Sequence, residues 1–305
     1  MNISILVIDD EQTQVANIEK GIRQKSNGNN GVFVITASEE KDILNKIENT
    51  FYNLAIVDLR MSKYGINGFD IIKRIKEINP FAKIIVVSAF TQEYSNEINN
   101  IISLNNVIKI IDKKSFPIFI EEIYEEIEIL NNTLENEDDL TKKSLLDHYA
   151  QVKNEEDTYK KGRNFENFIS LLFNQIGFNR IMTRVIDKSR NEVDIMIRNE
   201  IDDIFFAKFK QYILVECKNY PKDNIGKNIF IEFNAKMQNT SALADLGIIV
   251  TSGYIADTMY REAIRNSKEG FKIIFLSNPE IEKLINSSNR LETFKKIIDR
   301  QVKDN

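Results

Sequence analysis

Three aspartates and a lysine in the front half of the chain stand where apolar runs end. Asp9 and Asp10 close the run Ile5–Ile8, and Asp58 closes Leu54–Val57. Apolar strands that end in aspartate at one edge of a parallel sheet gather anions in one place. Such a cluster needs a divalent cation to offset its self-repulsion. Magnesium suits it, because a few carboxylates, waters and phosphate oxygens complete an octahedral shell. Ser88 ends a fourth run, where a hydroxyl can bond a phosphoryl oxygen. Lys113 follows a fifth, where an ammonium can pair with phosphate or with Asp58. Strand-end aspartates also cap helices, and Asp10 alone fits that role. Five positions in this order favour a phosphorylatable pocket.

A second set lies in the rear half. NEVDIMIRN carries Asp194 inside an apolar strand, and YILVECKNY ends in Glu216, Cys217 and Lys218. Alternate side chains of a strand share a face. Glu216 and Lys218 therefore point one way and Cys217 the other, and Asp194 faces Glu216 if the two strands pair. Two carboxylates can hold magnesium, while the lysine orients or activates a water and offsets charge on a phosphorane-like transition state. The competing account is a same-face ion pair on a solvated strand, but the apolar strand around Asp194 favours chemistry. Cys217 reads as a small buried hydrophobe. One cysteine and one histidine, His148, make neither an internal disulfide nor a Cys/His zinc site. Any metal is therefore held by oxygen.

The elements that must position these residues are legible as apolar runs. In the front half they are Ile3–Ile8, Val32–Ile35, Leu54–Val57, Ile84–Val87 and Val107–Ile111. Amphipathic stretches begin near Glu11, Glu39, Gly68 and Thr91, and a last helix opens at Pro117. This alternation predicts a five-stranded parallel sheet with helices on both faces, with its site at the carboxyl ends of the strands. Residues 131–141, NNTLENEDDLT, read as an acidic linker, followed by a helix over about 142–152. The second domain reads as a helix ending at Gly177, then strands Ile181–Ile186, Glu192–Ile197 and Tyr212–Cys217. Next come a helix Ile229–Met237, a strand Leu246–Thr251, a helix Ala256–Arg265 and a strand Phe271–Leu276. The expected division is 1–130, a linker and connecting helix over 131–157, and 158–305.

Charge divides along the same line. Residues 1–140 hold 14 Lys/Arg against 23 Asp/Glu, and the remainder 27 against 23. The front half repels nucleic acid and the rear half can approach it. No run is long and apolar enough for a membrane span, and the N-terminus turns acidic too early for a signal peptide. A cytoplasmic protein with no membrane partner is expected.

The pocket residues, in this order and on these strand ends, resemble the receiver domain of two-component response regulators, with a flavodoxin-like fold. The resemblance implies Asp58 as phospho-acceptor, and Asp9, Asp10, Asp58 and the Arg60 carbonyl as ligands of one Mg2+. It implies Ser88 as the switch hydroxyl and Lys113, in preference to Lys114, as the phosphate-contacting lysine. Ala89 supplies the small residue expected after the hydroxyl. The loop after Asp58 is longer than usual, with Ser62 where proline is common, and Ile110 replaces the usual aromatic.

In the rear half GRNFENF, Gly177–Phe178, EVDI, VECKN and GIIVTSG resemble the Mrr-type domain of the restriction-endonuclease-like superfamily, an α/β fold with a mixed sheet. The resemblance implies Glu166, Asp194, Glu216 and Lys218 as catalytic residues. Asp194, Glu216 and the Cys217 carbonyl become ligands of one or more Mg2+, and Gln238 a further site or DNA-contacting residue. Together the two resemblances imply a phosphorylation-regulated response regulator with a Mg2+-dependent DNA endonuclease output. Its partners are DNA and a histidine kinase or other phosphodonor. Phosphorylation-dependent homodimers and a role in phage defence follow from the architecture. The alternatives are a DNA-binding regulator whose nuclease-like fold does not cut, or a nuclease acting on RNA or single-stranded DNA.

Overall fold

The computed structural model describes residues 3–26, 31–61, 63–89, 106–113, 115–136, 138–186, 192–240, 242–265 and 270–304. The chain divides into two compact units, Met1–Glu137 and Asp138–Asn305.

The first unit runs β1 Ile3–Ile8, α1 Gln12–Lys25, β2 Val32–Ala37, α2 Glu40–Asn49, β3 Leu54–Asp58 and α3 Gly68–Ile78. It continues with β4 Lys83–Ser88, β5 Val107–Asp112 and α4 Phe116–Asn136. The sheet order is β2-β1-β3-β4-β5, and every pair is parallel. A parallel strand covered on both faces reads as a near-continuous apolar run, and every residue of β1 and β3 is buried, Ser4 included. Alternate residues serve opposite faces. Ile5, Val7 and Ile56 pack with Val15 and Ile22 of α1 and Ile123 of α4. Leu6, Ile8 and Val57 pack with Ile43 of α2 and Ile71 and Ile75 of α3. Gly68 opens α3 because a β-carbon there would lie 2.2 Å from the Asp58 carbonyl oxygen. The helix expected near Thr91 lies outside the described residues, as do Ser62 and Lys114.

The second unit runs α5 Asp138–Asn154, α6 Thr158–Ile176, β6 Ile181–Ile186, β7 Glu192–Arg198, β8 Tyr212–Lys218, β9 Asn224–Ile225 and α7 Lys227–Thr240. It continues with β10 Ala244–Thr251, β11 Tyr254–Ile255, α8 Asp257–Arg265, β12 Lys272–Leu276, α9 Asn278–Ile285 and α10 Arg290–Asp304. Its main sheet has the order β12-β10-β8-β7-β6. β12, β10 and β8 are parallel, while β7 pairs antiparallel with both β8 and β6. The sheet is mixed, as expected. On one face Phe230, Phe233 and Met237 of α7 and Met259 of α8 pack with Leu214 of β8 and Ile249 of β10. Gly247 of β10 admits α7 this closely, since a β-carbon there would sit 2.8 Å from both Met237 Sδ and Phe233 Cε1. A cluster of aromatic rings joins Phe173 of α6, Phe178, Phe206 and Phe294 of α10.

The helix expected over about 142–152 lies within α5, while residues 131–141, read as a linker, fall across the end of α4 and the start of α5. α4 runs on to Asn136, and α5 begins at Asp138 and folds with the second unit. Leu145, Tyr149 and Val152 are buried at helical spacing, and Tyr149 stacks on Phe168 of α6 at 5.0 Å. Burying such side chains stabilises by about 1.5–3 kcal/mol each, which outweighs the weak helix preference of Asp138, Asp139 and Thr141 at the start of α5. Polar composition marked where the core thins, and the apolar stripe behind it decided the structure.

Candidate functional site

The first constellation forms where β1 and β3 lie side by side. Ile8 pairs with Val57, so the next residues, Asp9 and Asp58, emerge together, and Asp10 follows. The three side chains are buried, and one oxygen from each lies within 4.8 Å of the others. Lys113 Nζ reaches Asp9 Oδ2 at 2.7 Å and Asp58 Oδ2 at 3.1 Å. Asp10 accepts the Lys63 main-chain N–H at 2.9 Å, and Asp9 accepts that of Glu11, also at 2.9 Å. Ser88 is buried at the end of β4, and its carbonyl accepts the Lys113 N–H at 2.8 Å. Backbone geometry therefore ties the hydroxyl position to the lysine position. Arg60 and Ala89 line the same cavity of about 360 Å³.

The electrostatics of this pocket are set by burial. It pushes the Asp58 carboxyl up to about 6; Lys113 pulls the other way and Asp9 adds to the rise. Burial also opposes the Lys113 charge, but Asp58 and Asp9 outweigh it and hold that ammonium above its ordinary value. Asp58 Oδ1 is buried without a hydrogen-bond partner among the described residues. An orphaned carboxylate oxygen beside two more carboxylates is a donor set that fits a hard divalent cation, with room for phosphoryl oxygens.

The second constellation is centred on β8. Antiparallel pairing sets Ile195 opposite Val215, and one step further brings Asp194 opposite Glu216. Asp194 Oδ2 accepts the Cys217 N–H at 2.7 Å. Glu216 is only 5% exposed. Its Oε1 pairs with Lys218 Nζ and its Oε2 with Lys236 Nζ, both at 2.8 Å. Burial and then Glu216 push the Asp194 carboxyl up to about 6, against the Cys217 N–H and both lysines. Glu166 on α6 pairs with Arg184 Nε at 3.1 Å. Burial still lifts it to about 7, with Arg184 opposing and Asp194 adding. Burial, Asp194 and Glu166 push the Cys217 thiol well up, which suppresses the thiolate. Among the described residues only Asp9, Asp10 and Asp58 form a trio of metal-capable side chains within 4.8 Å. The second site offers a pair, Asp194 and Glu216, with Glu166 engaged by Arg184. Two facing carboxylates and the nearby main chain of Cys217 fit one oxygen-liganded cation.

Residues 5–115 match the family model of the response regulator receiver domain, and residues 160–285 match a restriction endonuclease model. The chain joins a response regulator receiver domain to a restriction-endonuclease-like domain. Among solved structures, a CheY-like receiver domain protein from Methanospirillum hungatei JF-1 is 22% identical, with 98% of that chain and 43% of this one covered at a TM-score of 0.35. Response regulator TrrA from Thermotoga maritima, solved with Mg2+-BeF, is 25% identical over 99% and 43%, at a TM-score of 0.33. Chemotaxis response regulator CheY4 of Vibrio cholerae is 17% identical over 99% and 42%, at a TM-score of 0.35. No curated protein matches the chain. No helix among the described residues is long and apolar enough to cross a membrane.

Three residues of the restriction-endonuclease-like domain lay outside the sequence expectations. Lys236 reaches Glu216 from α7, whereas Gln238, two residues on, is exposed on that helix. A lysine in an amphipathic helix carries no mark of the face it meets until the packing of that helix is known. Arg184 lies opposite Asp194 in the β6–β7 register and has φ 52°, a left-handed conformation unusual for arginine. Asn219 follows Lys218 directly. Its amide donates to the carbonyls of Val152 at the end of α5 and Lys161 on α6, each at 3.0 Å, and its oxygen accepts the Ser252 hydroxyl at 2.6 Å. The Asn in VECKN was visible as part of a motif, but its partners are distant in sequence.

Proposed function

We propose that this response regulator is a divalent-metal-dependent DNA endonuclease switched by phosphorylation of Asp58. The observation that carries the reading is the meeting of Asp194, Glu216 and Lys218 on β7 and β8. Asp194, Glu216 and the Cys217 carbonyl would hold Mg2+. A bound ion would lower the pKa of a water and offset phosphate charge. Lys218, beside Glu216, orients the attacking water and faces the charge that grows on phosphorus. Glu166 acts as an auxiliary acid behind Asp194.

In the receiver pocket Asp9, Asp10, Asp58 and the Arg60 carbonyl would hold a second Mg2+, which supplies charge neutralisation to the incoming phosphoryl group. Asp58 is the acceptor, served by a histidine kinase or another phosphodonor. Lys113 and Ser88 reorganise around the new oxygens. Phosphorylation favours a homodimer, which brings two nuclease sites to the two strands of a duplex. A nuclease behind such a switch suits conditional use in the cytoplasm, such as defence against phage. The test is cleavage of a supercoiled plasmid with Mg2+, with and without an acyl phosphate. Wild type should cut, while Glu216→Ala and Lys218→Ala should lose at least about a hundredfold in rate. Retention of wild-type cutting by either purified variant refutes the assignment. Binding without cutting, or preference for RNA or single strands, would replace it.

A further inference from the structure

Both oxygens of Glu216 are occupied by lysine ammoniums, one from its own strand and one from α7. Two carboxylates, Asp194 and Glu216, and two ammoniums, Lys218 and Lys236, balance the site as it stands. Lys218 is tied to Glu216 by strand spacing, since residues two apart share a face. Lys236 comes from an independent element. It is placed by Phe233 and Met237, the latter adjacent in sequence, which anchor α7 on the sheet beneath Gly247. Lys236 remains 23% exposed, so its long side chain has room to swing without disturbing the core. An oxygen paired with an ammonium at 2.8 Å cannot also serve as an unhindered ligand of a divalent ion.

We propose that Lys236 is a second active-site lysine shared between Glu216 and the substrate: it occupies Glu216 Oε2 in the resting site, competes there with a divalent ion, and once displaced pairs with the phosphodiester. The proposal rests on the nuclease reading above. With Asp194 and Glu216 given over to a divalent ion, the site carries two ammoniums in excess, an arrangement that attracts a phosphate anion. Lys236 thus keeps the resting site neutral and makes the loaded site selective for an anionic substrate.

The expected signature is a pair of opposite effects. Mn2+ binding is titrated by calorimetry on the full chain, in an Asp10→Asn background so that the receiver pocket does not contribute. Lys236→Gln and Lys236→Met should each bind Mn2+ at the second site about tenfold more tightly, because a competing charge is gone. At saturating Mg2+ and with Asp10 intact, the same variants should cut DNA at least about tenfold more slowly, because a phosphate contact is gone. Lys236→Arg should keep an affinity nearer wild type. A purely structural lysine would not tighten metal and slow cleavage together. Unchanged or weaker Mn2+ binding in both neutral variants, or full-rate cleavage at saturating Mg2+, overturns the proposal. If Glu216→Ala still cuts, the nuclease reading itself fails. If Glu216→Ala is inactive while Lys236→Gln matches wild type in both assays, only this inference fails.

Discussion

Glu166 is buried beside Arg184 and Asp194, and its carboxyl is lifted to about 7 from an ordinary 4.5. The folded state therefore holds that proton more tightly than the unfolded chain. Between these two values stability should fall as pH rises, and above about 7 the full cost of the buried charge is present. Replacing the carboxylate by a neutral amide removes that cost. In metal-free buffer Glu166→Gln should raise the unfolding free energy by about 1–2 kcal/mol at pH 8. The gain should vanish as pH drops through 7 towards 4.5, as measured by urea unfolding at both ends. Asp194, lifted to about 6, makes a second pH prediction. Protons compete with metal for its oxygens, so the Mg2+ concentration giving half-maximal cleavage should be higher at pH 5.5 than at pH 8. An unchanged half-point would remove Asp194 from the metal site.

At the scale of elements, strand β8 is held from three directions. Asn219 fastens its end to α5, to α6 and to Ser252 after β10. Asn219→Ala would leave two main-chain carbonyls and a hydroxyl without that partner, a cost of about 1–3 kcal/mol. Because Lys218 is the preceding residue, cleavage should fall as well, and Asn219→Asp should not rescue it, since an acid cannot donate two hydrogen bonds to carbonyls. Thermal melts and plasmid cleavage on the same preparation decide this. Gly247→Ala should cost about 1–3 kcal/mol by pressing on Met237 and Phe233, and it should slow cleavage by shifting α7 and Lys236.

These elements also show what the sequence could convey. Apolar runs ending in Asp9 and Asp58 located two strands and one shared edge, because parallel strands covered on both faces are almost wholly apolar until they end. The Asp194–Glu216 pairing followed from strand alternation once a partner strand was assumed. The contribution of α7 was not legible, since the phase that turns Lys236 towards Glu216 is set by Gly247 and the ring of Phe233, contacts between elements. The helix ends within the acidic stretch 131–141 were not legible for a related reason. Its polar composition shows no apolar stripe, and α5 is secured by Leu145, Tyr149 and Val152 further on.

On the scale of the whole chain, two units with separate cores carry two sites, and the proposed link between them is Asp58. Phosphorylation adds charge and acceptor oxygens beside Lys113, and a coupling of about 1–3 kcal/mol would be enough to shift a dimer population substantially at fixed concentration. Protein treated with an acyl phosphate or beryllofluoride should sediment as a larger species and cut faster, and Asp58→Asn should lose both responses. Unchanged mass and rate on treatment, or a responsive Asp58→Asn protein, would rule the mechanism out. Strand β8 has a bearing on how any such control can operate. It is the middle strand of its sheet, and Ile213, Leu214 and Val215 are wholly buried, so their amides should fall in the slowest class of hydrogen exchange, released when the whole unit opens. Glu216 sits on the same strand. A signal that worked by loosening this strand would have to open the unit around it. Control that left the fold intact would act instead on approach to the partly exposed Lys218 and Lys236 at the rim of the site.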